Sequence, residues 1–172
     1  WSSDVCSSDL LHHDPFNHHL NNPCKFEDFL KHYKHSLIIV NVKTEGIEDA
    51  CIALLEKYKV KNWFFLDLSM PFFVKYAKYK NIGKEHLCVR YSQHEAIEYA
   101  LGFCGDAGWV WADCFDGLPL SKQDFDTLKK HFKICLVSPE LQGFPTDNIK
   151  LFKQEDFLKA ADAVCTKKPD LW

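Results

Sequence analysis

The chain has 172 residues and a mass of 20.0 kDa, which is the size of one domain and enough to bury a hydrophobic core. Hydrophobic residues make up 47% and charged residues 26%, values that exclude a disordered or a collagen-like chain. The formal charge of -3 gives no electrostatic reason to expect nucleic acid or an anionic membrane as a partner, and no apolar run approaches the roughly 20 residues of a membrane span.

The chain begins with a short Ser-rich segment that shows no periodicity. Residues 1–9 lack the basic and apolar stretches of a secretion signal and differ in composition from the residues that follow. We interpret them as a tail that is disordered or foreign to the protein. Because the sequence starts at Trp1 without an initiator Met, we expect a processed chain or a fragment, with one domain over residues 10–172 that is incomplete at its amino end.

The eight cysteines are scattered along the chain, and no two of them have the C-x-x-C spacing of a zinc site. Four of them, Cys88, Cys114, Cys135 and Cys165, fall inside predicted strands, where cysteine usually acts as a small hydrophobic residue. Many thiols within a core are typical of a reducing compartment, so we predict a cytoplasmic protein.

From about residue 24, short apolar runs alternate with amphipathic stretches of helical period. The predicted strands are Leu37–Lys43, Trp63–Ser69, His86–Ser92, Trp109–Phe115, Ile134–Ser138 and Asp162–Thr166. The predicted helices are Lys25–Lys34, Gly46–Tyr58, Pro71–Tyr79, His94–Phe103, Lys122–Phe132 and Gln154–Ala161. Strands of this kind that are separated by crossover helices form a parallel sheet buried on both faces.

This alternation predicts an α/β fold of the (β/α) TIM-barrel type. A doubly wound sheet is disfavoured because no Gly-rich phosphate loop follows any strand. A full barrel needs eight strands and typically about 250 residues, so we predict six of eight β/α units, with the other two before residue 10. The first and last of the six strands should then be the less covered edges.

Five of the predicted strands end in polar residues. They include Lys43, Asp67, Arg90, Asp113 and Glu140. Loops often begin with polar residues, but mixed charges that converge in one barrel mouth are costly unless they are paired or bind a charged ligand. Two cations indicate an anionic ligand, with phosphate the first choice. We therefore predict Asp67, Arg90, Asp113 and Glu140 as substrate contacts.

One of the nine histidines stands out by its position. His13 follows a Leu10–Leu11 pair that could close a strand, and Pro15 then turns the chain. A histidine at such an end is placed to transfer protons near neutral pH. A loop histidine without a chemical role fits the spacing equally well.

Three motifs in this order resemble the glycerophosphodiester phosphodiesterase family, within the phospholipase-C-like phosphodiesterases. His13-Asp14-Pro15 resembles its His-Asp-Pro element, and Asn41-Val42-Lys43 resembles a strand that ends in Glu-x-Lys. Residues 165–171 (CTKKPDL) resemble its closing Thr-Asp-x-Pro-Asp-Leu segment. The resemblance covers residues 10–172 and implies a (β/α)8 barrel that cleaves phosphodiesters with a pair of acid–base histidines.

The resemblance also implies roles for individual residues. His13 matches the second catalytic histidine, and Lys43 matches a lysine that would neutralise the non-bridging phosphate oxygens. Asn41 falls where the family has a metal-binding Glu, so a single Mg²⁺ or Ca²⁺ would have a weaker, neutral ligand here. The first catalytic histidine would lie upstream of Trp1, and we expect this chain to be inactive alone.

Three functions are open at this point. The first is hydrolysis of a glycerophosphodiester or a phospholipid head group. The second is a catalytically silent barrel that binds a phosphorylated ligand or a protein partner, which the Asn41 departure favours. The third is an aldolase-like barrel enzyme, for which Lys43 is the obvious strand-end candidate for a Schiff base, although such an enzyme needs no His-Asp-Pro element.

Overall fold

The computed structural model describes residues 2–6, 10–11, 24–118 and 120–172, with residues 2–6 described by their backbone alone. These residues form two compact units, Trp1–His86 and Leu87–Trp172, each built around its own four-stranded sheet. The chain is thus a mixed α/β protein with parallel sheets, and neither sheet closes on itself.

The first unit holds a sheet of order β2-β1-β3-β4. Its strands are β1 (Ser2–Cys6), β2 (Leu10–Leu11), β3 (Ile38–Val42) and β4 (Trp63–Leu66). β3 runs parallel to β1 and to β4, whereas β2 pairs with β1 in the antiparallel direction.

Three helices belong to the first unit. They are α1 (Phe26–His32), α2 (Glu48–Lys57) and α3 (Met70–Val74), the last of which continues into a π-helical turn, Lys75–Lys80. The hydrophobic core joins α1 and α2 to alternate residues of the two strands. It contains Phe26, Leu30, Ile38, Val40, Val42, Cys51, Leu55, Trp63 and Phe65. Because side chains alternate along a strand, Ile39 and Asn41 point to the opposite face of the sheet, where they are also buried.

The second unit holds four parallel strands in sequence order, β5-β6-β7-β8. They are β5 (Cys88–Tyr91), β6 (Trp109–Ala112), β7 (Lys133–Val137) and β8 (Ala163–Cys165). The helices are α4 (Ile97–Leu101), α5 (Lys122–Lys129) and α6 (Asn148–Gln154), and short 3₁₀ turns occupy Pro139–Gln142, Asp156–Ala160 and Pro169–Leu171. A further 3₁₀ turn, Lys84–His86, ends the first unit. β5 to β7 are largely buried, in keeping with their apolar sequences.

The six predicted strands are all present as β3 to β8, and the prediction of an α/β fold with parallel sheets is confirmed. The prediction that the strand at Leu37–Lys43 is a poorly covered edge is wrong, because β3 lies between β1 and β4 and all five of its residues are buried. Residues 2–6, which we interpreted as part of a tail, form its neighbour β1. The prediction of an edge at the last strand is confirmed, since β8 is terminal in its sheet and only half-buried.

Five of the six predicted helices occur where expected, and the sixth is displaced. The predicted helix Gln154–Ala161 is a 3₁₀ turn, Asp156–Ala160, and the α-helix lies before it as α6. In α6, Ile149 and Phe152 are buried at a spacing of three residues, which a single helical turn satisfies.

The cysteines of the strands behave as the sequence predicts. Cys88 and Cys135 are buried, as is Cys114, which lies two residues beyond β6, and Cys165 on the edge strand is half-buried. No disulfide joins the seven cysteines that the structure describes. None of the helices in the described ranges has the length and apolar composition that crossing a bilayer requires.

Candidate functional site

The first unit brings Lys43 and Asp67 together at the carboxyl ends of β3 and β4. Lys43 Nζ donates to Asp67 Oδ2 at 3.3 Å, and both side chains stay partly exposed. Asp67 has a φ of 64°, in the left-handed region that aspartate tolerates better than most residues. Residues held in such a conformation are more frequent at functional sites than elsewhere. This end of the sheet therefore presents a cation that a neighbouring carboxylate holds in place.

Asn41 lies on β3, two residues before Lys43, and its side-chain oxygen is buried without a hydrogen-bond partner among the described residues. A buried polar atom without a partner typically costs about 1–3 kcal/mol. Such atoms call for an explanation, and a missing ligand or water is one. The orphan oxygen of Asn41 is thus a second unusual feature at the end of β3.

The same residues test whether a divalent cation fits here. Asn41 would offer one amide oxygen and Asp67 one carboxylate, which is already paired with Lys43. No group of three or more His, Cys, Asp or Glu side chains in the described ranges could hold a metal ion. Mg²⁺ and Ca²⁺ prefer several oxygen ligands with net negative charge. These residues alone do not fit such an ion.

The second unit brings Arg90 and Asp113 together at the carboxyl ends of β5 and β6. Arg90 donates to Asp113 Oδ2 at 2.5 Å, and the same oxygen accepts the indole N–H of Trp111 at 3.2 Å. Oδ1 accepts Gln142 Nε2 at 2.6 Å and the backbone N–H of Cys114 at 3.0 Å. Asp113 is buried, whereas 28% of the Arg90 side chain is exposed. The cation thus reaches the surface and the carboxylate does not.

Glu140 follows β7 and belongs to a separate hydrogen-bond network. Its carboxylate accepts the hydroxyls of Ser138 and Thr166 and the backbone N–H of Lys167. The indole of Trp172 donates to Ser138 Oγ at 2.8 Å. Glu140 therefore fastens the segment after β8 to the turn after β7, and its donors come from this chain rather than from a substrate.

Burial by itself raises the pKa of Glu140, but the hydrogen bonds from Ser138 and Thr166 outweigh it and hold that pKa below the ordinary value of 4.5. A lowered pKa in the folded state means that the carboxylate stabilises the fold above the unfolded pKa, and that this contribution disappears as pH falls through the folded pKa.

We expect Glu140→Gln to weaken the acid dependence of stability below about pH 4.5, because the glutamine cannot titrate. Urea unfolding at neutral pH and in this acid range measures the effect. Glu155→Gln, an exposed glutamate of the same unit, is the control. An unchanged acid dependence in Glu140→Gln would contradict the proposed role of this network.

Of the residues predicted from the sequence, Lys43 meets Asp67 and Arg90 meets Asp113, while His13 lies outside the described residues. Gln142 was not predicted at all, although it contacts Asp113 directly. The signal that could have indicated it is its place in a short polar turn after a buried strand, where active-site loops of parallel α/β folds lie.

Comparison with known proteins adds nothing to this geometry: no protein-family model matches the chain, and no curated protein or solved structure shows significant similarity to it.

Proposed function

We propose that the chain belongs to a phosphodiesterase of the (β/α) barrel type, which hydrolyses a glycerophosphodiester or a phospholipid head-group phosphodiester. The observation that carries the proposal is that each sheet presents a cation held by a carboxylate at the carboxyl ends of its strands. These pairs are Lys43–Asp67 and Arg90–Asp113. The carboxyl ends of the strands are where barrel enzymes place their active sites.

Phosphoryl chemistry gives these cations their role. In a hydrolysis at phosphorus, negative charge grows on the non-bridging oxygens, and a fixed ammonium or guanidinium stabilises it. Lys43 would act on those oxygens, in agreement with the position it occupies in the Asn-Val-Lys motif. Asp67 would keep the lysine at the strand end by the contact of 3.3 Å.

The acid–base step is assigned to His13 by its resemblance to the His-Asp-Pro element. In the first half of the reaction, a free hydroxyl of the substrate's glycerol would attack phosphorus and give its proton to the other histidine of the pair that the resemblance implies. One P–O bond forms as the P–O bond to the leaving alcohol breaks, and His13 would donate the proton that the leaving alkoxide takes up. In the second half water would attack the cyclic phosphate and give a proton to His13, while the other histidine returns its proton to the glycerol oxygen as that P–O bond breaks, so both histidines regain their starting states.

Three further parts of the proposal follow from the resemblance or from composition. The two sheets would belong to one TIM-type barrel, and the location would be the cytoplasm. A divalent cation would need carboxylate ligands beyond those described, with Asn41 as one weak ligand.

A barrel that binds a phosphorylated ligand without cleaving it is the second candidate. It is favoured by Asn41, whose neutral amide stands where the resemblance predicts a carboxylate. Such a protein would keep the cations that bind phosphate and would lack the hydrolytic activity.

The test is hydrolysis of glycerophosphocholine and glycerophosphoglycerol by the 172-residue chain and by a chain extended with its own upstream coding sequence. We expect turnover only from the extended chain, and His13→Ala should lower its kcat by about 10²-fold, the scale of a lost general acid. His131→Ala, on a histidine beyond α5, is the matched control. Phosphate-ester binding without turnover in the extended chain would support the silent barrel. An unchanged kcat in His13→Ala would refute the assignment of His13, and turnover by the 172-residue chain would refute the need for an upstream histidine.

A further inference from the structure

Asp113 differs from a substrate-binding carboxylate in that both of its oxygens are already used. Oδ2 accepts from Arg90 and Trp111, and Oδ1 accepts from Gln142 and the backbone of Cys114. The side chain is only 4% exposed. A buried carboxylate that accepts from four donors has little capacity left to bind a ligand. Asp113 therefore acts by fixing the positions of the side chains that donate to it.

Of the side chains that donate to Asp113, Arg90 is a cation with a partly exposed side chain. Its guanidinium is a rigid planar fork, and a bond to Asp113 at one nitrogen restricts its orientation before any ligand arrives. Because ordering a long side chain costs free energy on binding, a guanidinium that is already fixed binds an anion more tightly than a mobile one. The planar fork suits the two oxygens of a phosphate ester.

Gln142 supplies the second anchor of Asp113, from a different loop. It lies in the turn Pro139–Gln142 after β7. The same turn carries Glu140, which accepts from Thr166 and the backbone of Lys167. The segment after β8 therefore fixes the position of this turn through its hydrogen bonds to Glu140. The turn in turn positions Gln142, which donates a hydrogen bond to Asp113.

We propose that Asp113 and Gln142 are positioning residues, which fix the Arg90 guanidinium as the binding group for a phosphate ester. The ligand class rests on the proposed function, whereas the dependence of Arg90 on Asp113 rests on the hydrogen bonds alone. The inference departs from the sequence-based prediction that Asp113 contacts the substrate itself.

The experiment uses glycerol 3-phosphate as the probe and ¹H–¹⁵N NMR of the Arg90 guanidinium and the Trp111 indole as the readout. Addition of the probe should shift both signals in the wild-type chain. Asp113→Asn should weaken binding by about tenfold or more, since a hydrogen bond between charged groups is lost. It should also change the Arg90 signal before any ligand is added, which a loss of general stability would not do.

Two further variants separate positioning from folding. Arg90→Lys should lose binding while it keeps the charge, because the planar fork is absent. Gln142→Ala should weaken binding several-fold and shift the Trp111 indole signal, and it decides the question if Asp113→Asn does not fold. Asp162→Asn is the matched control: Asp162 also accepts from a cation, Lys129, and from a backbone N–H, that of Ile134, but at the amino end of β7. Its binding should equal that of the wild type.

The inference is overturned if glycerol 3-phosphate leaves the Arg90 signal unchanged in the wild type. It is also overturned if Asp113→Asn and Gln142→Ala bind the probe as tightly as the wild type does. Binding that depends on Asp113 without any diester hydrolysis would support the positioning role and refute the phosphodiesterase function. Diester hydrolysis that does not depend on Asp113 would support the phosphodiesterase function and refute the positioning role.

Discussion

Lys43→Ala should lower kcat/KM for glycerophosphodiester hydrolysis by about 10² to 10³-fold in the extended chain, the range found when one preorganised donor to a developing oxyanion is removed. The loss should appear mainly in kcat, because charge on the non-bridging oxygens is greater in the transition state than in the bound substrate. The variant also leaves Asp67 without the ammonium at 3.3 Å, and the added negative potential repels the phosphate. Steady-state kinetics over a range of substrate concentrations separates kcat from KM.

Lys80→Ala is the matched control for this prediction. Lys80 forms an ion pair with Asp49 at 3.2 Å in the same unit, but it lies at the end of the π-helical turn rather than at a strand end. Its loss removes the same charge and a similar contact, and kcat/KM should stay within about twofold of the wild-type value, as for most surface substitutions. Equal activity losses in the two variants would show that net charge, rather than the position of Lys43, controls the rate.

The contrast between strands and helices shows what the sequence could predict. A strand that is buried on both faces must be apolar at nearly every position. A short, wholly apolar run such as Trp63–Leu66 therefore predicts a buried strand, and all four of its residues are buried. The helix α6 has only seven residues, of which two are buried, and Leu151 is 57% exposed. A pattern so short does not fix a period, so the position of this helix depended on packing that the sequence does not display.

The candidate site divides in a similar way. Consecutive parallel strands in a β/α series usually lie side by side, so their carboxyl ends meet, and the pairs Lys43–Asp67 and Arg90–Asp113 could be anticipated. The contact of Gln142 with Asp113 joins strands β6 and β7 through a 3₁₀ turn. Its geometry depends on Glu140 and the segment after β8, which are far apart in sequence. The local sequence pattern therefore predicts which residues lie at the strand ends. It does not predict which of them would bind a ligand and which would fix the position of a neighbouring side chain.

The Lys43–Asp67 pair follows two strands that pack into the core of the first unit, and Phe65→Ala tests whether that packing supports the pair. Phe65 is fully buried on β4, with its ring 5.0 Å from that of Trp63 and 6.0 Å from that of Tyr76. Its register partner is Val40 on β3. Replacing a buried phenylalanine by alanine typically costs about 3–5 kcal/mol, because the cavity left behind adds to the lost transfer free energy.

That cost is a large part of the roughly 5–15 kcal/mol that stabilises a typical domain, so Phe65→Ala should lower the urea midpoint of the first unit markedly. Hydrogen exchange of the β3 and β4 amides reports on this unit separately from the second. Tyr79→Ala, whose side chain is 82% exposed, should change stability by no more than about 0.5 kcal/mol. Because Asp67 follows Phe65 by two residues on the same chain segment, faster exchange in β4 should be accompanied by weaker phosphate-ester binding at Lys43. Faster exchange in Phe65→Ala with unaltered binding would show that the strand ends keep their geometry without the core beneath them, and that the Lys43–Asp67 pair is held by the loops alone.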